Sequence, residues 1–193
     1  MQVTANRTIQ RNKIHPQKFA LYAGCVSIFM MFMAWTSAYI VRQAAGNWLE
    51  FQIPNIFFYS TAIIILSSLT LQFSYIFFKK ENFGLYKILL ILTFVLGVIF
   101  LMTQYQGWQV LNSALGIPLG ENPSSDFLYV ISGAHAAHIV GGLGVLFTAT
   151  AHAFGLKNQV TSKRLLRFEL TYTYWHFVGV LWVYLILFFH FQR

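Results

Sequence analysis

Five stretches of nearly unbroken apolar residues, at about 19–41, 56–78, 85–111, 127–154 and 168–191, alternate with short polar segments. Each is longer than the roughly 18 residues that mark a membrane span, enough to cross about 30 Å of hydrocarbon as a helix. Strands with open edges would leave backbone N–H and C=O groups unsatisfied in lipid, so the pattern predicts helices. Pro54 precedes the second stretch, and Pro118 and Pro123 punctuate the loop before the fourth. No internal repeat or low-complexity segment divides the chain. The expected fold class is all-α: a basic tail over 1–18, then one polytopic membrane domain over 19–193, a five-helix bundle.

Composition agrees with that pattern. Of 193 residues, 57% are hydrophobic and only 9% charged, against about a quarter charged in a soluble domain. The mean hydropathy is +0.59. A net charge of +8 would suit nucleic acid, but the basic residues sit between apolar stretches, so topology explains them and no nucleic-acid partner is expected. Arg7, Arg11, Lys13 and Lys18, then Lys79, Lys80 and Lys87, then Lys157, Lys163, Arg164 and Arg167 fall on one side, while Arg42 and Arg193 fall on the other. By the positive-inside rule this eleven-to-two division places the N-terminus inside and the C-terminus outside.

Several features carry little chemistry. Cys25 is the only cysteine, so neither a disulfide framework nor a thiolate metal site can be built; it is expected to be a small buried hydrophobe. The first apolar stretch is too long for a signal-peptide core and is expected to be retained. Asn6-Arg7-Thr8 is a sequon on the predicted inner face, and Asn122-Pro123-Ser124 is excluded by its proline.

Polar residues within the spans are costly in lipid and are expected to face a bundle interior, a partner or a pathway. In the fourth span Gly133, Ala137 and Gly141 form a row at four-residue spacing that would let another helix approach closely, within this chain or from a partner or lipid. His135 and His138 lie one turn apart and share a face. In the fifth span Glu169, Thr173 and His176 form one stripe, with Glu169 expected in the first turn, either as an interfacial cap or as an internal hydrogen-bonding group. Trp175, Trp182 and Tyr184 are expected to pack on neighbours or lipid. Gln104 to Gln109 read as an interfacial stretch whose glutamines would equally pair with adjacent helices.

The histidines also admit a sharper reading. His138 and His152, like His176 and His190, are fourteen residues apart, about 21 Å along a helix and roughly 40° from alignment. In antiparallel helices His152 would meet His176 and His138 would meet His190, ligating two stacked b-type haems beside Gly141, Gly142 and Gly144. His135 and Glu169 are left unexplained by that scheme. His135, His138, His176 and Glu169 are too scattered for a copper site.

In order along the chain, Ser37-Ala38-Tyr39-Ile40-Val41-Arg42, Gln104 with Trp108, Gly133-Ala134-His135-Ala136-Ala137-His138 after an acidic loop, Phe168-Glu169, and Tyr174-Trp175-His176-Phe177-Val178 with Trp182 resemble subunit III of the haem-copper oxidases in its short five-helix form. The resemblance implies a non-catalytic core subunit of a proton-translocating cytochrome c oxidase in the aerobic respiratory chain. Such a subunit would dock on catalytic subunit I beside subunit II, hold phospholipids in a cleft and help sustain proton uptake. Haem and copper would reside in the partner subunits, with no catalytic, cofactor or metal site in this chain. It also implies a bacterial inner membrane and a place for the complex in a larger respiratory supercomplex. His135, His138, Glu169, Trp175, His176, Trp182, Gln104, Gly133 and Gly141 would serve structure, lipid or the subunit interface.

Three positions depart from the family pattern. Ile28, Gly107 and Gly179 stand where the family has acidic residues, which removes any proton handling that relied on them. The two additional N-terminal helices of longer members have no counterpart here. Rival readings are subunit III of a quinol oxidase, a di-haem b-type membrane electron carrier, and a transporter or channel. The last would be expected to show broken helices or inverted repeats.

Overall fold

The computed structural model describes residues 15–156 and 158–192. Arg7, Arg11, Lys13 and the Asn6 sequon, like Lys157 and Arg193, lie outside the described residues. Five helices follow in order: α1 (Pro16–Ala44), α2 (Ile56–Lys79), α3 (Phe83–Gln109), α4 (Pro123–Gly155) and α5 (Ser162–Phe191). Each is long and apolar enough to cross a membrane, and no strand occurs among the described residues. A π-helical turn at Val110–Ala114 extends α3.

Four of the helices start earlier than the apolar stretches because their caps are polar, while α2 starts with its stretch at Ile56. Pro16 and Pro123 occupy the first turns of α1 and α4, where a missing N–H costs nothing. Pro123 therefore begins a helix rather than lying in the preceding loop. Asn122 Oδ1 accepts from Ser124 N at 2.9 Å, and Asp126 adds a carboxylate to the first turn of α4. Thr161 caps α5, which takes the basic turn at Lys163, Arg164 and Arg167 into the helix. Glu169 is thus two turns inside α5 rather than in its first turn, and the capping reading is corrected.

A tight turn through Glu81, in left-handed backbone at φ 58°, folds α2 and α3 into a long antiparallel hairpin. α5 packs on α1, α2 and α4, while α3 closes the far side against α2 and α4. Among the described residues, α1 approaches the backbones of α4 and α5 but not those of α2 or α3. This leaves a gap between α1 and α2 over the outer face of α5.

Candidate functional site

The core centres on two tryptophans seven residues apart on α5, and so nearly on one stripe. Trp175 and Trp182 are both 1% exposed. Trp175 Nε1 donates to Ser67 Oγ at 3.1 Å and Trp182 Nε1 to Thr61 Oγ1 at 3.0 Å, so both indole donors are satisfied on α2. The Trp175 ring fills a slot that only glycine permits. A Cβ on Gly97 would stand 2.8 Å from Trp175 Cη2, and one on Gly142 would stand 3.1 Å from Cε3.

His135 lies in the same core, fully buried, its ring centroid 5.1 Å from Trp182 and 6.1 and 6.2 Å from Phe100 and Phe32. Neither ring nitrogen has a partner among the described residues. His138 does share its face: it packs on Phe32 at 5.7 Å, while its Nδ1 lies 2.8 Å from Ala134 O. Gln104 is 1% exposed and donates to Ser60 Oγ at 2.9 Å, so it pairs with α2 instead of lying at an interface. Trp108 Nε1 donates to Ser132 Oγ at 3.0 Å, tying the end of α3 to α4.

The small-residue row of α4 does not pack inside the chain. Ala137 and Gly141 are exposed, and a Cβ on Gly141 would meet only Tyr174 Oη at 3.9 Å. Gly133 is half-buried and lies 4.0 Å from Trp108 by the same measure. The glycines that admit an aromatic ring closely are Gly97, Gly107 and Gly142. They were missed because their spacing forms no row; only the large aromatics opposite them reveal the need.

Two of the departing positions are explained by packing. A Cβ on Gly107 would stand 2.7 Å from the Phe57 ring, and one on Gly179 would stand 3.0 Å from Ser68 Oγ. Ile28 packs half-buried on the core.

The two-haem pairing fails on register. Residue 135 meets 182, 138 meets 174 and 142 meets 175 across α4 and α5. His138 and His190, and likewise His152 and His176, are therefore about 12 residues out of step, ~18 Å along the axis. His190 packs on Phe58 of α2 at 5.7 Å, and His176 on Tyr172 at 4.3 Å. Among the described residues no three His, Cys, Asp or Glu side chains are grouped to hold a metal.

At the basic end, Glu169 ties three helices together. Its Oε2 lies 2.6 Å from Lys18 Nζ on α1, and its Oε1 accepts from Tyr75 Oη on α2 at 2.8 Å. Lys79 sits over the Tyr75 ring at 4.6 Å. Beside this cluster a cleft of about 890 Å³ opens between α1, α4 and α5, lined by Leu21, Gly141, Val145 and Tyr174, with His152, Arg164 and Arg167 at its basic end. Apolar walls closed by cations are the form of a site for an amphiphile with an anionic head.

Comparison with known proteins agrees with this architecture. The family model described as cytochrome c oxidase subunit III matches residues 25–192. Cytochrome c oxidase subunit 3 of Rhipicephalus sanguineus is 31% identical over 72% of this chain and 50% of its own length. That of Bacillus subtilis (strain 168) is 26% identical over 66% of this chain and 61% of its own. Cytochrome bo(3) ubiquinol oxidase subunit 3 of Buchnera aphidicola subsp. Schizaphis graminum is 27% identical over 91% of this chain and 92% of its own. The chain thus spans about half the length of most of the curated relatives it matches.

Proposed function

The chain belongs to the cytochrome c oxidase subunit III family, and on that premise we propose that it is the non-catalytic third subunit of a proton-translocating cytochrome c oxidase. It docks on catalytic subunit I, beside subunit II, in a bacterial inner membrane. Haem and copper belong to those partners. This chain supplies a rigid aromatic bundle, a lipid cleft and support for proton uptake. The observation that carries the reading is the family match over residues 25–192, which takes in the tryptophan–glycine packing of the whole bundle.

The cleft supports the lipid role. A phospholipid would lay its acyl chains along Leu21, Val145 and Tyr174 and present its phosphate to Arg167 and His152. Gly141, exposed on α4, and His138 and Gly133, half-buried on the same helix, belong to the lipid or subunit interface. Docking within a larger respiratory supercomplex is part of the same reading.

The length-matched ubiquinol oxidase relative favours a second reading, in which the donor is a quinol. Both are tested by mild-detergent purification of the chain from native membranes, with every co-purifying polypeptide identified. The complex is then assayed for oxygen consumption with reduced cytochrome c and with a quinol. A large polytopic subunit with a copper-bearing partner is expected. Recovery without oxidase subunits would sink both readings, and turnover on quinol alone would choose the second.

A further inference from the structure

α1 is held unequally along its length. In its second half Phe32 is fully buried and packs on His138 at 5.7 Å and His135 at 6.2 Å. Thr36 Oγ1 and Tyr184 Oη lie 2.8 Å apart, and Tyr39 Oη donates to Gln192 O at 3.3 Å. Tyr39 also packs edge-on against Trp48, Phe127, Phe188 and Phe189. Rings and hydrogen bonds together fix that half against α4 and α5.

The first turns are different. From Pro16 to Gly24 no side chain is buried, and Tyr22 is 47% exposed. The polar tie from this segment to another helix is the Lys18–Glu169 pair at 2.6 Å. Gly24 adds nothing to the seam, since a Cβ there would meet no atom within 4 Å. Ser27 Oγ donates back to Ala23 O at 3.0 Å, a bond that weakens and bends a helix. Neighbouring Gly and Ser sites are among the places where helices kink.

Space lies on both sides of the segment. The cleft of about 890 Å³ lies toward α4, and a groove of about 200 Å³, lined by Lys18, Tyr22, Tyr75 and Thr173, lies toward α2. Leu21 of α1 and Leu170 of α5 line both, so these two leucines form the partition between them. Lys18 lies six residues from Gly24, ~9 Å along the axis. A tilt of about 20° near Gly24 would carry it ~3 Å into the groove and widen the cleft behind it. No buried side chain has to leave its place for that motion.

We propose that residues 16–24 form a clamp on the cleft, hinged near Gly24 and Ser27 and latched by Lys18 and Glu169, which sets how long an anionic amphiphile stays bound. With the latch closed, Leu21 stands against the apolar part of the occupant. With the latch open, α1 leans into the groove and the occupant escapes to the bilayer. The inference rests on the lipid-cleft reading and adds the element that regulates the site. A pair of partly exposed side chains suits the task, because a latch has to release as well as hold.

The test uses the intact oxidase complex in lipid–detergent micelles, loaded with phosphatidylglycerol that carries a photoactivatable diazirine on one acyl chain. During a chase with excess unlabelled lipid, irradiation at successive delays reads the label still captured on α4 between Gly141 and Ala149. Glu169→Gln should speed its loss about two- to fivefold, the share that a partly solvated ion pair can hold. Glu169 lies outside the cleft lining, and removing its negative charge close to Arg167 would, by attraction alone, slow the loss. The sign therefore separates a clamp from headgroup electrostatics. Added salt should speed the loss more in the native complex than in Glu169→Gln, where the latch is already gone. Lys18→Cys joined to Glu169→Cys by a short bismaleimide, with Cys25 replaced by Ala, should retain the label longer than the native pair does. Loss that Glu169→Gln leaves unchanged or slows would overturn the clamp, as would a bridged complex that releases the label as fast as the native one. Label on α4 in the native complex would leave the lipid reading standing in either case. A native complex that never captures label on α4 would remove both.

Discussion

At the scale of single residues, the core is decided by which side chain faces a glycine. Gly97 and Gly142 admit the Trp175 ring, whereas at Gly141, one residue further round the helix, a Cβ would meet only the Tyr174 hydroxyl at an ordinary 3.9 Å. Gly97→Val should therefore cost about 1–3 kcal/mol through overpacking, read as a lower midpoint in detergent unfolding. Gly141→Leu should leave that midpoint unchanged; an equal loss for both variants would mean that the row, not the slot, holds the bundle. His135 makes the complementary case. Its ring packs in an aromatic cage with both nitrogens unpartnered, so its shape contributes more than its polarity. His135→Phe is expected to be neutral or stabilising, because unsatisfied buried polar atoms are removed without leaving a hole. His135→Ala should cost about 2–4 kcal/mol as a cavity opens. If His135→Phe proved the more damaging of the two, the imidazole would have a polar task that its ring packing does not reveal.

At the scale of helices, α1 is the loosest element, since it approaches only α4 and α5. Its basic end is held by the pair between Lys18 and Glu169, side chains 34% and 25% exposed. A partly solvated pair of this kind contributes ~0.5–1 kcal/mol and weakens with salt. Glu169→Gln should keep the Tyr75 hydrogen bond and lose the attraction. Spin labels at Tyr22 and Tyr59 should then report a broader distance distribution, and raising salt should broaden the native one likewise. A distribution unmoved by either change would place the hold on α1 in its apolar packing alone. This arrangement also marks what the sequence could convey. Glu169, Thr173 and His176 were legible as a stripe because helical spacing is written in the chain. The start of α5 was not, because hydropathy is blind to the polar turn from Ser162 to Arg167 that Thr161 caps. The fourteen-residue histidine spacings were equally real, yet axial register between helices depends on packing such as Trp175 against Gly142, which no spacing within one helix can fix.

At the scale of the molecule, the five crossings were legible because the cost of an exposed backbone in lipid leaves the chain no alternative to helices. The mutual order of the helices was not, since lipid tails and apolar side chains attract a helix about equally and only shape and hydrogen bonds choose its neighbours. Orientation belongs to this scale as well. Lys18, Lys79, Lys80, Lys163, Arg164 and Arg167 gather at the end where Glu169 joins α1 to α2 and α5, while Glu50, Glu121 and Asp126 mark the opposite end. Because Lys and Arg near span ends are retained on the cytoplasmic side, the Glu169 end should face inward. Single cysteines answer the question directly once Cys25, buried among the helices, is replaced by Ala. In intact cells Glu50→Cys should react with a membrane-impermeant maleimide and Ser162→Cys should react only after permeabilisation. The reverse pattern would turn the bundle over and move the Arg-lined cleft to the outer leaflet. It would also mean that the charges are positioned for a partner subunit rather than by the insertion that the basic loops are expected to direct.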